Sequence, residues 1–346
     1  MNTVEKLSSF IEKDESSGYI IVFSQPDPDA IGSALGLEFL IKNLTEKPVQ
    51  IKYTGAIGHA QNKQLVNVYD LKTRIQRLDI AKAEEEFKDK TICLVDSSQL
   101  KDERLGFKFA EDNPPAIVID HHRNSEFEQK ESNFILVDLQ VKSASTLITE
   151  LILEFDLLNK LKENNPTIIC LTLGIYTDTS RLTRAAERDL KAYMELSKLI
   201  NKNEFAEIIN YKKPYKYLSL KATAYNNLNR KEERIIADVG FIDTVDEDSL
   251  AMIADEIILT EGISLVVVWG IVGNQIKIKI RSSNIANPLN EWIQERFMSY
   301  GGAKNSNGIA LGGCSIPLEL NFLGKIVLDK IYEAMKEAIE MTVFKE

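Results

Sequence analysis

Two aspartates one residue apart, Asp27 and Asp29 in the stretch FSQPDPDA (23–30), are the first residues of this 346-residue chain with the types and spacing to do chemistry. In an extended loop residues i and i+2 point the same way, so both carboxylates can face one cavity while Pro26 and Pro28 restrict the backbone around them. That is a pair of hard oxygen ligands. An exposed turn uses the same residue types, and the stretch alone does not choose between the two readings. The chain has three histidines, and two of them are adjacent in IDHHR (119–123), directly after an apolar run. His121 and His122 therefore stand at a strand end beside Asp120. TICLVD (91–96) ends on Asp96, and LGIYTDTSRL (173–182) adds Asp178 after an apolar helical run. Carboxylates with a minority of imidazole suit manganese or magnesium, and the lack of nearby cysteine argues against zinc. Asp27, Asp29, Asp96, His121 and Asp178 together have the types to hold two divalent cations, with Asp96 bridging. Two such ions can clamp a phosphoryl oxygen and generate hydroxide from a bridging water, so no protein nucleophile is required.

The elements that must position these residues alternate in type. GYIIVF (18–23), VQIKY (49–53), TICLVD (91–96), AIVID (116–120) and FILVD (134–138) read as buried strands separated by helical segments such as AIGSALGLEFLIKNL. This alternation predicts an α/β fold, a parallel sheet with helices on both faces. Carboxylates beyond the carboxyl ends of such strands mark a site. The expected organisation is a metal-binding domain over 1–188, a helical Lys-rich connector over 189–230, and a smaller α+β domain over 231–346. In the last, SLVVVWGIV and QIKIKIRSS face each other across GN as a hairpin. The final helix places Val327, Ile331, Met335 and Ala338 on one stripe.

Hydrophobic residues at 44% and charged residues at 27% are the balance of a folded soluble chain. No apolar run reaches membrane-spanning length, and the acidic N-terminal segment lacks a signal-peptide pattern, so the expectation is a cytoplasmic protein without a membrane partner. Cys93, Cys170 and Cys314 are widely spaced and read as small buried apolar residues. With 52 acidic against 42 basic residues and a net charge of -10, the surface disfavours long duplex nucleic acid. A phosphate-bearing ligand then needs metal ions or a few placed cations.

The ordered motifs PDPDAIGSALGL, LVDSS, VIDHH, SASTLITE, GIYTDTSRL, IRSS and GIALGG resemble those of the DHH phosphoesterases that carry a DHH-associated C-terminal domain. YTGAIGHAQNKQLVN (53–67) is similar to a segment of long family members. The resemblance implies two lobes with an active cleft between them, and an enzyme that hydrolyses phosphodiester or phosphomonoester bonds of short oligonucleotides or small nucleotides by metal-hydroxide attack. By the same resemblance Asp27 belongs to a first metal, Asp29, His121 and Asp178 to a second, and Asp96 to both. His122 contacts the scissile phosphate, Asp120 orients the imidazoles, and Arg281 binds a substrate phosphate in bidentate fashion. Two Mn2+ ions are expected, with Mg2+ or Co2+ as substitutes. The partner is a small nucleotide or short oligonucleotide, and a homodimer is left open.

Two positions depart from the family pattern. Phe23 stands where many members carry a histidine that ligates the first metal, so that ion is expected to be loosely held. His59 is the remaining histidine and reads either as a contributor to the cleft or as a loop or helix cap. In the C-terminal lobe Asn307 occupies the place of the histidine that ends the family's Gly-rich run, and Lys304 is the nearest replacement cation. Arg181 and Arg184 read equally as cleft residues and as solvated charges. Ser145 and Thr146 are expected to cap a helix, and Gly32 and Ser33 to serve close packing behind the metal loop. The departures support an alternative, a catalytically weakened relative that binds or senses a nucleotide. A polyphosphatase or pyrophosphatase is a third reading.

Overall fold

The computed structural model describes residues 2–99, 104–110, 113–123, 125–284, 288–306, 309–318 and 325–345. The chain divides into two units, Met1–Lys212 and Lys213–Glu346. The division falls inside the segment expected as a connector, which is occupied by helices.

The first unit begins with α1 (Thr3–Lys13), β1 (Tyr19–Ser24), α2 (Pro28–Leu44), β2 (Val49–Thr54), α3 (Ala60–Val68) and β3 (Ile75–Arg77). It continues through α4 (Ala83–Phe87), β4 (Thr91–Val95), β5 (Ile117–Asp120) and β6 (Phe134–Val137). Helices α5 (Ala144–Glu154), α6 (Leu158–Leu161), α7 (Asn165–Asp178), α8 (Glu187–Ser197) and α9 (Lys202–Ile209) complete it. The six strands form one sheet in the order β3-β2-β1-β4-β5-β6, parallel throughout. The chain works outward from β1 to β3 on one side, then returns to β4 and proceeds outward on the other. The boundary between β1 and β4 is thus a topological switch point, where the crevice at the carboxyl ends of the strands opens.

Every residue of β1, β4 and β5 is buried, as central strands covered on both faces require. Alternation assigns the faces. Tyr19, Ile21 and Phe23 point into a core shared with α2, α5 and α7, whereas Ile20 and Val22 point into a second core with Leu78, Phe87, Leu105 and Phe109. Helix α2 is buried along most of its length and lies against α7. A Cβ on Gly32 would stand 2.5 Å from the Cys170 carbonyl oxygen, so glycine is what lets the two helices approach. This bears out close packing as the role of Gly32. All three cysteines are buried free thiols.

The second unit contains α10 (Tyr215–Asn226), β7 (Asn229–Lys231), β8 (Arg234–Ile242), α11 (Asp248–Ile257), β9 (Leu265–Val272) and β10 (Gln275–Ser282). Helix α12 (Leu289–Phe297), β11 (Gly301–Ser306), β12 (Ile309–Pro317) and α13 (Lys325–Phe344) follow. Its mixed sheet runs β11-β12-β10-β9-β8-β7, with β8 and β9 parallel and the other neighbours antiparallel. The expected hairpin is present, with Gly273 at φ +55 in its turn. The stripe of α13 differs from expectation. Tyr332, Met335, Ile339 and Val343 meet the core, Ala338 is exposed, and the side chain of Val327 lies outside the described residues. Tyr332 decides the phase by stacking on Trp269 with ring centroids 5.3 Å apart. Among the described residues no helix is long and apolar enough to cross a membrane.

Candidate metal centre

The site lies at the carboxyl ends of β1, β4 and β5, where the first unit's strand order reverses. After β1 the chain passes Gln25 in the left-handed region (φ +50) and enters α2 through Asp27, whose Oδ1 accepts the Ala30 N–H at 3.0 Å as N-cap. Pro28 follows at the first helical position, where its missing N–H costs nothing. Asn62 of α3 donates to the Pro26 carbonyl oxygen at 2.8 Å and fixes the loop from the other side.

Asp29, in the first turn of α2, is fully buried. Its Oδ2 accepts the Ala144 N–H at 2.7 Å and its Oδ1 the Ser145 N–H at 2.8 Å, both from the start of α5. The carboxylate thus sits on orphan amides at the positive N-terminal end of α5. The cap of α5 is Ser143, whose Oγ accepts the Thr146 N–H at 3.1 Å. This corrects the expectation for Ser145 and Thr146: Ser145 instead gives its backbone to Asp29, and Thr146 Oγ1 donates to Asp189 at 2.7 Å. Helix α7 passes close to the same point. A Cβ on Gly174 would lie 2.9 Å from the Asp29 Cα.

Asp96 follows β4 with φ +55, a left-handed backbone that aspartate tolerates better than most residues. Asp120 ends β5, fully buried, and its Oδ1 accepts the His121 N–H at 2.8 Å while standing 2.7 Å from His122 Nδ1. A proton on Nδ1 serves that contact and leaves Nε2 of His122, on a half-exposed ring, for a ligand. His121 is the hub. Its Nε2 lies 3.4 Å from Asp96 Oδ1, 3.6 Å from Asp29 Oδ2 and 3.6 Å from Asp178 Oδ2 at the end of α7.

These distances and the lack of bonding decide what the cluster fits. Asp96 Oδ1 and His121 Nε2 are buried and have no hydrogen-bond partner among the described residues. Neighbouring ligands of an octahedral ion at about 2.1 Å are about 3.0 Å apart, so a ring of oxygens 3.4–3.6 Å from an imidazole nitrogen is a near-formed coordination sphere. Burial first, then the charges of Asp27, Asp29 and Asp120, push the Asp96 carboxyl well above the usual carboxylate range, against a smaller opposing pull from His122. A site short of positive charge in this way is relieved by a cation. Two overlapping groups of ligand atoms satisfy metal spacing, Asp29 with His121 and Asp178, and Asp96 with Asp120, His121 and His122.

The structure therefore gathers Asp29, Asp96, Asp120, His121, His122 and Asp178, with Asp27 close enough to act on Asp96 by charge but bound to the α2 cap. Phe23 is fully buried and stacks on Tyr53 with 6.0 Å between centroids. His59 caps α3, accepting the Gln61 N–H at 3.3 Å, with its ring edge-on to Tyr211. In the second unit Arg281 is buried, with Nε 2.5 Å from Asp255 Oδ1 and an NH1 donating to the Ile280 carbonyl oxygen. Lys304 lies in β11 opposite Leu311, and its side chain and all of Asn307 fall outside the described residues. Asp138, another strand-end carboxylate, pairs with Arg188 at 2.5 Å and takes no part.

The sequence reading missed the amides of Ala144 and Ser145 and the brace from Asn62. Backbone donors carry no side-chain signal. The contact from Ser145 to Asp29 spans 116 residues.

Comparison with known proteins follows the same line. A probable bifunctional oligoribonuclease and PAP phosphatase of Streptococcus mutans is 29% identical over 59% of this chain and 59% of its own. An uncharacterized protein of Methanocaldococcus jannaschii is 27% identical over 98% of this chain. The chain thus spans 65% and 59% of the lengths of these two relatives. An exopolyphosphatase-related protein from Bacteroides fragilis shares the fold with a TM-score of 0.69 at 18% identity, covering 98% of this chain and 97% of that one. The DHH family, N-terminal domain, matches residues 19–175, a span that holds Asp27, Asp29, Asp96 and the Asp120-His121-His122 triplet. Over that span the chain is similar to the DHH family's N-terminal domain.

Proposed function

We propose that this protein is a divalent-metal-dependent phosphoesterase acting on short oligonucleotides or small nucleotides. One observation carries the reading: Asp96 Oδ1 and His121 Nε2, both buried, face each other at 3.4 Å without a hydrogen bond. Leaving such groups unpaired costs about 1–3 kcal/mol each, a cost that a bound cation removes. Asp29, Asp96, His121 and Asp178 would hold the second metal of the pair, and Asp27 with Asp96 the first. Divalent cations supply Lewis acidity toward a phosphoryl oxygen and lower the pKa of water, preferably as Mn2+ for this donor set. The chain's own part is positional. Asp120 holds His122 by Nδ1, so Nε2 is free to hydrogen-bond a phosphate oxygen. The amides of Ala144 and Ser145 fix the orientation of the Asp29 carboxylate.

Support for nucleotide substrates comes from the Streptococcus mutans relative, whose name describes an oligoribonuclease and PAP phosphatase. The test is Mn2+-dependent hydrolysis of di- to pentanucleotides, cyclic dinucleotides, 3′-phosphoadenosine 5′-phosphate and polyphosphate, with Asp96→Asn as the blank. Turnover of a nucleotide class that the variant lacks is the expected result. Turnover of polyphosphate alone would replace the substrate assignment. A second reading, a nucleotide-binding relative with little turnover, is favoured by Phe23, which offers no ligand where a histidine would. Tight binding without hydrolysis across Mn2+, Mg2+ and Co2+ would establish it.

A further inference from the structure

The segment after Asp178 has a backbone that ordinary side chains avoid. Ser180, Arg181 and Leu182 follow one another in the left-handed region at φ +54, +58 and +67, and none is glycine. Consecutive non-glycine residues there are costly and persist only where the surroundings fix them. The fixing bonds are present. The Arg181 N–H donates to the Tyr176 carbonyl oxygen at 2.6 Å, and the Arg184 N–H to that of Thr179 at 3.0 Å. The Leu182 N–H donates to Thr179 Oγ1 at 3.1 Å, and Leu182 packs against the core.

The turn draws Leu182 inward and leaves Arg181 and Arg184, three residues apart, exposed within two turns of a metal ligand. Among the described residues neither guanidinium has an ion-pair or hydrogen-bond partner, although the chain carries a net charge of -10. Arg74 and Arg188, by contrast, are held by Glu38 and by Asp138 with Glu150. Two unpaired guanidinium groups kept by a costly backbone beside a carboxylate-rich centre call for an anion that the centre itself cannot hold. Metal ions answer the charge of the phosphate under attack; a further phosphate on the same substrate meets the fields of Asp29, Asp96 and Asp178 and needs cations of its own.

We propose that Arg181 and Arg184 form a clamp for a second phosphate group of the substrate, and so determine specificity for nucleotides with a phosphate beyond the scissile one. This rests on the proposed phosphoesterase reading and adds residues and a charge requirement to it. The pair acts on binding, not on the reacting atoms, since arginine matches phosphate oxygens bidentately.

The test compares wild type with Arg181→Gln/Arg184→Gln on two matched pairs in Mn2+: 5′-phosphorylated diadenylate against diadenylate, and adenosine 3′,5′-bisphosphate against adenosine 3′-monophosphate. The variant should raise KM for the doubly phosphorylated member of a pair by about tenfold or more, leave KM for the other within about twofold, and leave kcat unchanged. The response of log KM to log salt should flatten only for the doubly phosphorylated compound. Equal changes for both members, or none, would overturn the clamp. The variant with lysine at both positions keeps the charge and the turn, and should retain most of the discrimination; if it loses as much as the glutamine variant at an unchanged melting temperature, charge is not the cause. Should wild type hydrolyse nothing, the phosphoesterase reading fails, and equilibrium binding of the same four compounds in Ca2+ still reads the clamp by the same comparison.

Discussion

Phe23→His would place an imidazole at the position where the resemblance to the DHH phosphoesterases expects a metal-ligating histidine, and the structure sets what that exchange costs. Phe23 is fully buried in the core formed with α2 and α7, its ring stacked on Tyr53. Burying a phenylalanine side chain is worth about 1.5–3 kcal/mol. A buried imidazole nitrogen without a partner costs about 1–3 kcal/mol. The new ring still fills much of the space and recovers part of the first term, so the metal-free variant should lose about 2–4 kcal/mol. In a unit of this size each kcal/mol moves the melting temperature by about 2–4 °C, which gives a fall of roughly 5–15 °C in EDTA. Metal reverses the sign of the comparison. If the imidazole reaches an ion, saturating Mn2+ should return more stability to the variant than to wild type, by about 1.4 kcal/mol for each tenfold gain in affinity. Thermal melts in EDTA and over a Mn2+ titration, with metal stoichiometry measured beside them, read both arms. An unchanged melting temperature in EDTA would refute the core placement of Phe23. Equal Mn2+-induced shifts in the two proteins would refute the idea that position 23 addresses the metal site.

Asp96→Asn should raise the melting temperature of the metal-free protein, because it removes a buried charge opposed by Asp27, Asp29 and Asp120, while lowering metal affinity and turnover more than about 100-fold; calorimetric Mn2+ titration and kcat check both, and a destabilised metal-free variant would contradict the electrostatics. Gly174→Ala places a Cβ 2.9 Å from the Asp29 Cα and against Ser145 Oγ, so it should cost about 1–3 kcal/mol and lower kcat by more than the stability loss explains; a normal kcat at an unchanged melting temperature would show that α7 yields there. Burial pushes the Asp14 carboxyl up, but hydrogen bonds from Lys47, Thr91, Ser16 and Tyr19 outweigh it and hold it at about 2. Its stabilisation is therefore present above the ordinary value of 3.8 and fades as pH falls from about 5 toward 2, amounting to about 2–3 kcal/mol at neutral pH. Urea midpoints of wild type and Asp14→Asn should differ at pH 7 and converge near pH 2; a gap that persists in acid would refute the assignment.

The central strands were legible because each is a continuous β-branched run, and their ends in Asp96 and Asp120 announced the site edge. Strand β3 was not legible: it is three residues long with one buried side chain, too short for any period. The partners of His121 followed from residue type at strand and helix ends, whereas the hold on Asp29 did not, because it is made by main-chain amides of a helix that begins more than a hundred residues later. The phase of α13 was misread because Tyr332, a half-polar residue, takes the inward place through its stack on Trp269. Nothing in the composition of SRL marks a left-handed turn; the bonds that Tyr176 and Thr179 accept from the Arg181, Leu182 and Arg184 amides impose it.

The left-handed backbone at Asp96 has a bearing on how such a site changes over descent. At φ +55 the residues that fit with little strain are Gly, Asn and Asp, so a mutational drift away from the carboxylate proposed to bridge two metals meets no backbone obstacle when it lands on Asn or Gly, and the loss of a buried like charge even favours it. On the proposed function, hydrolysis could therefore lapse at this position while the fold survives, and the identity of this single residue in a homologue would separate relatives able to hold the metal pair from those that keep only the scaffold.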